Sequence, residues 1–179
     1  MAVQLLIACH VLAGLTAVVW GAGAMLAPKR RGRHPRRGRA YLVALAVVAA
    51  TGTTLAATDW QHLWHLAALG ATAAGFAVVG YATRPGRRAG WLTAHIIGMS
   101  GSYVAMLTAF YVDNGPRLPL WQLLPPGAFW FLPTVVGVPL LVRALARHRR
   151  RRPRTRLQRS PCRLGVERAY SELRRRPGR

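Results

Sequence analysis

From Gly90 to Val112 the chain runs for 23 residues without an Asp, Glu, Lys or Arg. As an α-helix such a run is about 35 Å long, enough to cross the roughly 30 Å hydrocarbon core of a bilayer. It follows a basic turn, Arg84–Arg88, and breaks at Asp113-Asn114-Gly115-Pro116, a strong turn signal. Within it His95, Met99, Ser102 and Met106 fall at offsets of four, three and four, on one helical face. An imidazole facing lipid is costly, so this face is expected to point into protein.

Four more stretches have the same character. Spans are expected at about 3–27, 40–58, 61–82, 90–112 and 127–145. The sequence therefore predicts an all-α integral membrane protein, a five-helix transmembrane bundle over residues 1–147. An Arg-rich tail, residues 148–179, follows. The apolar runs lack the alternation of a transmembrane barrel. The first span has its positive cluster after it rather than before, so it is read as a retained helix and not as a cleaved signal. Ala13, Ala17 and Gly21 recur in it at four-residue spacing, which allows close helix approach. Pro35 suits a first helical position ahead of the second span. Pro133 and Pro139 are expected to kink the fifth.

The net charge of +22 would suit a nucleic-acid binder, so its distribution decides the reading. Seven of the 26 Lys and Arg lie in Lys29–Arg39, three in Arg84–Arg88 and fifteen in Arg143–Arg179. The alternate connections carry Asp59, and Asp113 with Arg117. This is the positive-inside pattern, with the N-terminus outside and the C-terminus cytoplasmic. The expected partner of the basic loops and tail is a bilayer with anionic headgroups, and no specific nucleic acid is expected. The composition, 52% hydrophobic with a mean hydropathy of +0.18, fits a multi-pass protein of the plasma membrane or bacterial inner membrane. In the tail, Cys162, Val166, Ala169 and Leu173 share a helical face, leaving a short interfacial helix and a disordered segment both open. Cys9 and Cys162 have no metal or disulfide spacing.

The histidines carry the functional reading. His10 and His65 fall at a common depth, roughly 6–12 Å below one boundary when residues are counted at 1.5 Å each. Two imidazoles on facing helices are what bis-histidine haem ligation requires. His95 enters from the opposite boundary, where His34 could join it; that site is weaker in geometry because His34 precedes the apolar part of its span. Haem is accordingly the candidate cofactor, with His10, His65 and His95 as candidate ligands. Two layers would make a transmembrane electron path. The alternative class is a small transporter, channel component or membrane scaffold, in which His65, Thr72, His95 and Ser102 line a polar route. An oligomer or a redox partner fits either class. No HExxH, serine elbow or Walker loop is present, and Asp59 or Asp113 with His62 or His65 is the remaining combination for a metal. Asp59 also reads as a cap for the third helix. Thr51, Thr53, Thr54 and Thr58 are expected to bond to backbone.

The segment HPRRGRAY at His34–Tyr41, the H-x-x-x-M-x-x-S-Y pattern of His95–Tyr103 and the continuation Thr108–Trp121 resemble a bacterial predicted-membrane-protein family, domain of unknown function 2306. The resemblance covers about residues 5–145 and leaves out the tail. It implies a multi-helix membrane fold and brings no reaction or ligand. Pro35 stands where the family motif has an arginine.

The charge pattern makes a direct prediction. Accessibility reporters placed at Arg33 and at Ser160 should both respond from the cytoplasmic side; a split between the two compartments would overturn the topology.

Overall fold

The computed structural model describes residues 1–28, 32–83, 90–119 and 123–150. Among them lie five long helices: α1 (Ala2–Leu26), α2 (Arg33–Thr58), α3 (Trp60–Ala82), α4 (Trp91–Asn114) and α5 (Ala128–Arg150). Each has the length and apolarity to cross a bilayer. The protein is a multi-pass, all-α membrane protein. Two compact units divide the chain, Met1–Arg143 and Ala144–Arg179, and the packing described below belongs to the first. The tail helix considered for Cys162–Leu173 lies outside the described residues.

Two helices reach beyond their apolar spans, for identifiable reasons. α2 starts at Arg33, seven residues ahead of its apolar part, after Gly32 turns the chain with φ 117°. Its added turns are held by side chains that reach the end of α1. His34 Nδ1 donates to Ala24 O at 2.9 Å, and Arg37 Nη1 donates to Gly23 O at 2.9 Å. Ala24 O lies in the last turn of the helix, where Pro28 has no N–H to offer it, and Gly23 O accepts from Ala27 N as well as from Arg37; a helix C-terminus favours such donors. α4 continues through Asp113 and Asn114 and breaks only at the 3-10 turn Gly115–Arg117. Asn114 donates to Phe110 O and Arg117 to Asp113 O, which extends the satisfied ladder past the expected break. α5 runs through both Pro133 and Pro139 without interruption.

α1 packs along α2, α2 along α3 and α3 along α4, while a smaller contact closes α4 onto α1. The core between them is made largely of small residues, Ala17, Ala44, Ala73, Ala77 and Ala105, around Tyr41, Leu45 and Met106. Large aliphatic side chains such as Leu5, Leu12, Val19 and Leu140 point outward. In a bilayer this inversion costs nothing, because lipid tails are as apolar as leucine and helices associate through close packing and hydrogen bonds.

The closest crossing is between α3 and α4 at Gly80 and Gly98. A Cβ built on Gly98 would lie 2.5 Å from Gly80 N and 2.7 Å from Phe76 O. Backbone meets backbone there, with no flexible side chain to yield. Gly21 of α1, buried like Ala17 on the packed face, lets rings from α2 and α4 reach the helix. The space a Cβ would need there is filled by the rings of Tyr103 and Tyr41. The four threonines of α2 behave as expected, with hydroxyls donating to Val47, Ala49, Ala50 and Leu55 carbonyls.

Replacing Gly98 by Ala should force α3 and α4 apart and cost about 1–3 kcal/mol. Gly75→Ala, with nothing within 4 Å of the added carbon, should leave stability equal or slightly raised. Denaturant unfolding of the two variants in the same detergent checks the contrast.

Candidate functional site

The two sequence motifs, His34–Tyr41 on α2 and His95–Tyr103 on α4, meet in the structure. Their first residues pair: the His34 and His95 rings have centroids 6.3 Å apart and planes inclined at 75°. Their last residues pair as well. Tyr41 Oη and Ser102 Oγ share a 2.7 Å hydrogen bond, and the Tyr41 and Tyr103 rings are 6.0 Å apart. Tyr41 and Ser102 are 2% and 0% exposed, so neither hydroxyl has water to fall back on. Tyr103 Oη then donates to Val18 O, which ties α1 to the same place.

Each histidine of the pair is oriented by backbone. His34 donates from Nδ1 to Ala24 O, and His95 donates from Nδ1 to Gly80 O at 2.7 Å. A carbonyl can only accept, so both rings carry their proton on Nδ1 when neutral and leave Nε2 as a lone pair. Gly80 also forms the tight crossing with Gly98, one turn from His95. The glycine contact thus fixes the acceptor that fixes the imidazole.

Both histidines line a cavity of about 440 Å³ together with Arg39, Tyr41, Met99 and Tyr103. Tyr81, Trp91, Leu42 and Met25 complete most of its aromatic and aliphatic wall. A volume in this range suits a small organic ligand or cofactor. The cavity lies at the end of the bundle where α1 ends and α2 begins. Arg39 is its ionic group, largely exposed.

The remaining candidates have separate settings. His10 Nδ1 lies 2.9 Å from Thr51 Oγ1, whose proton is directed to Val47 O at 2.7 Å. The imidazole is therefore the donor, and a Cβ on Gly52 would sit 3.2 Å from its ring. His65 packs edge to face with Trp64 and Trp130. Among the described residues no hydrogen bond or ring contact joins His10 to His65. His62 donates to the Asp59 carboxylate at 2.9 Å on the exposed surface. Asp59 stands at the N-cap of α3 but makes no side-chain cap bond, because its carboxylate is turned to His62. No group of three or more His, Cys, Asp or Glu that could hold a metal occurs among the described residues. Nor do His65, Thr72, His95 and Ser102 share a hydrogen-bonded line: Thr72 is exposed and bonded to Ala68 O, while His95 and Ser102 bond to Gly80 and Tyr41.

The His95 face was legible from its spacing, and Ser102 and Met106 are indeed buried. Tyr41, Tyr103 and Arg39 as cavity residues were not, although the tyrosines close the two motifs. No protein-family model, curated protein or solved structure matches the chain.

Ser102→Ala would leave the Tyr41 hydroxyl buried and unpartnered, at a cost of about 1–2 kcal/mol. Tyr41→Phe combined with Ser102→Ala should recover most of that loss, since no orphaned group remains. A double-mutant cycle on unfolding free energy measures it.

Proposed function

We propose that this multi-pass membrane protein carries electrons through a haem whose iron is held between His34 and His95. The observation that carries this reading is the spacing of the two rings, each held by its own backbone carbonyl. Two metal–nitrogen bonds of about 2 Å each, plus the depth of each ring to its centre, bring imidazole centroids to roughly 6 Å. The observed 6.3 Å separation is in that range. Each ring is anchored through Nδ1 on a carbonyl, the outer arrangement that metal-bound histidines usually have, which fixes the tautomer and raises ligand basicity. The donor set is chemically suited to the group: two imidazoles tethered through Nδ1, an apolar and aromatic wall, and one guanidinium, Arg39, available to pair with a carboxylate.

Haem would supply one-electron exchange at its iron. The residues of the chain do the rest. Gly80 O and Ala24 O hold the imidazoles, Tyr41 and Ser102 satisfy each other and keep water out, and Met99 fills the wall beside His95. Of the three ligand candidates read from the sequence, this proposal uses His95 and joins it to His34. His10 and His65, with their separate partners, are not required. That the two motifs meet supports treating them, and the family likeness they carry, as marks of one site.

Protein expressed with added haem and purified in detergent should show a Soret band of six-coordinate, low-spin type. His95→Ala and His34→Ala should each abolish it or convert it to a five-coordinate form, whereas His10→Ala should leave it unchanged. Absence of a Soret band in the unaltered protein, or its indifference to both inner substitutions, would overturn the reading.

A further inference from the structure

The cavity shared by His34 and His95 carries a positive charge without a counter-charge. Among the described residues, Arg39 is the one Lys, Arg, Asp or Glu on its wall. Pro35, Arg39 and Leu42 fall at offsets of four and three, one face of α2, and all three line the cavity. Arg39 Nε reaches back to Pro35 O at 3.5 Å, which lays the side chain towards the start of α2. That contact is long and occupies one of five guanidinium N–H groups. Among the described residues no other hydrogen bond takes the rest.

The surroundings deepen the imbalance. Arg33 and Arg36 are exposed within two turns of Arg39, and Arg37 is committed to Gly23 O. The acidic side chains of the described residues are Asp59 and Asp113. Along their helices Asp59 lies about 30 Å from Arg39, and Asp113 about 27 Å from His95. Neither carboxylate reaches the Arg39 fork. Gly38, beside Arg39 on the cavity wall, leaves room there, since a Cβ on it would meet nothing within 4 Å.

A ligand that completes this wall brings its own anion. The planar guanidinium matches a carboxylate through two parallel hydrogen bonds. The rings of Tyr81 and Trp91, which also line the cavity, suit a flat ring system attached to that carboxylate. A lipid phosphate would meet Arg39 but leave those rings and both imidazoles unused.

We propose that Arg39 makes the cavity selective for a porphyrin with free carboxylates, holding one of them at the start of α2. The identity of the ring rests on the haem reading, whereas the contact concerns the rim of the ligand and not its iron.

The test titrates the full-length protein, in nanodiscs of phosphatidylcholine, with protoporphyrin IX and with its dimethyl ester. Quenching of tryptophan fluorescence is followed and corrected for empty nanodiscs. The free acid should bind more tightly than the ester. Arg39→Gln should weaken the acid roughly three- to tenfold, a range set by the exposure of Arg39, and leave the ester unchanged. Arg39→Lys should keep part of the preference, and Arg36→Gln, off the cavity wall, all of it. Gly38→Leu, which fills the cavity, should weaken both ligands. Absence of binding, equal affinity for acid and ester, or equal losses in Arg39→Gln and Arg36→Gln would overturn the proposal. So would a Gly38→Leu variant that binds as before. Protoporphyrin IX has no iron, so these outcomes hold whether or not haem gives a Soret band. A Soret band lost in His95→Ala, with no difference between acid and ester, would keep the iron ligands and reject the role of Arg39.

Discussion

The bundle depends on side chains that cross between helices to reach backbone carbonyls. His34 and Arg37 from α2 bond to the Ala24 and Gly23 carbonyls at the end of α1, Tyr103 from α4 takes Val18 O in the same helix, and His95 takes Gly80 O in α3. Where such a bond lies within the hydrocarbon it competes with no water, so leaving a donor unpaired there is the costly outcome. Together the four bonds connect α1 to α2 and α4, and α4 to α3, at one end of the bundle. The same contacts that organise the helices also aim two imidazoles at a common cavity. Structure and candidate chemistry are thus one arrangement rather than two.

That coincidence separates this end from the opposite one. His10 rests on Thr51 within the α1–α2 pair, and His62 on Asp59 within a single helical turn. These are local satisfactions, each explained without a ligand. His65 is the exception, since its neighbours are aromatic and its Nε2 is left without a partner. Two places in the molecule therefore stand out, the cavity lined by His34 and His95 and the unpartnered nitrogen of His65.

The helices could be read from sequence because hydrocarbon thickness imposes a length and an absence of charge, both visible residue by residue. The inward face of α4 followed from the spacing of His95, Ser102 and Met106, and the threonine back-bonds of α2 from the reach of a hydroxyl. What was not legible depended on which helices are neighbours. Periodicity assigns His34 and His95 to faces but cannot say that those faces meet. The helix start read at Pro35 lies within two residues of the observed Arg33, but hydropathy sees only the apolar part and could not show that the first two turns are kept by bonds to α1. Gly80 and Gly98 resemble any other glycines in a chain with 18 of them, until the two backbones are seen in contact. Depth places His10 and His65 at one level and leaves rotation about the helix axes open.

The alanine-rich core has a further consequence for assembly. A side chain with no rotamers loses no rotational freedom when it is packed, whereas an ordered leucine gives up about 0.5–1 kcal/mol. Ala17, Ala44, Ala73, Ala77 and Ala105 let the helices dock with almost no such loss, while the outward Leu and Val residues keep their torsional freedom among fluid acyl chains. Docking of preformed helices is thereby favoured by what their contact surfaces do not have to freeze.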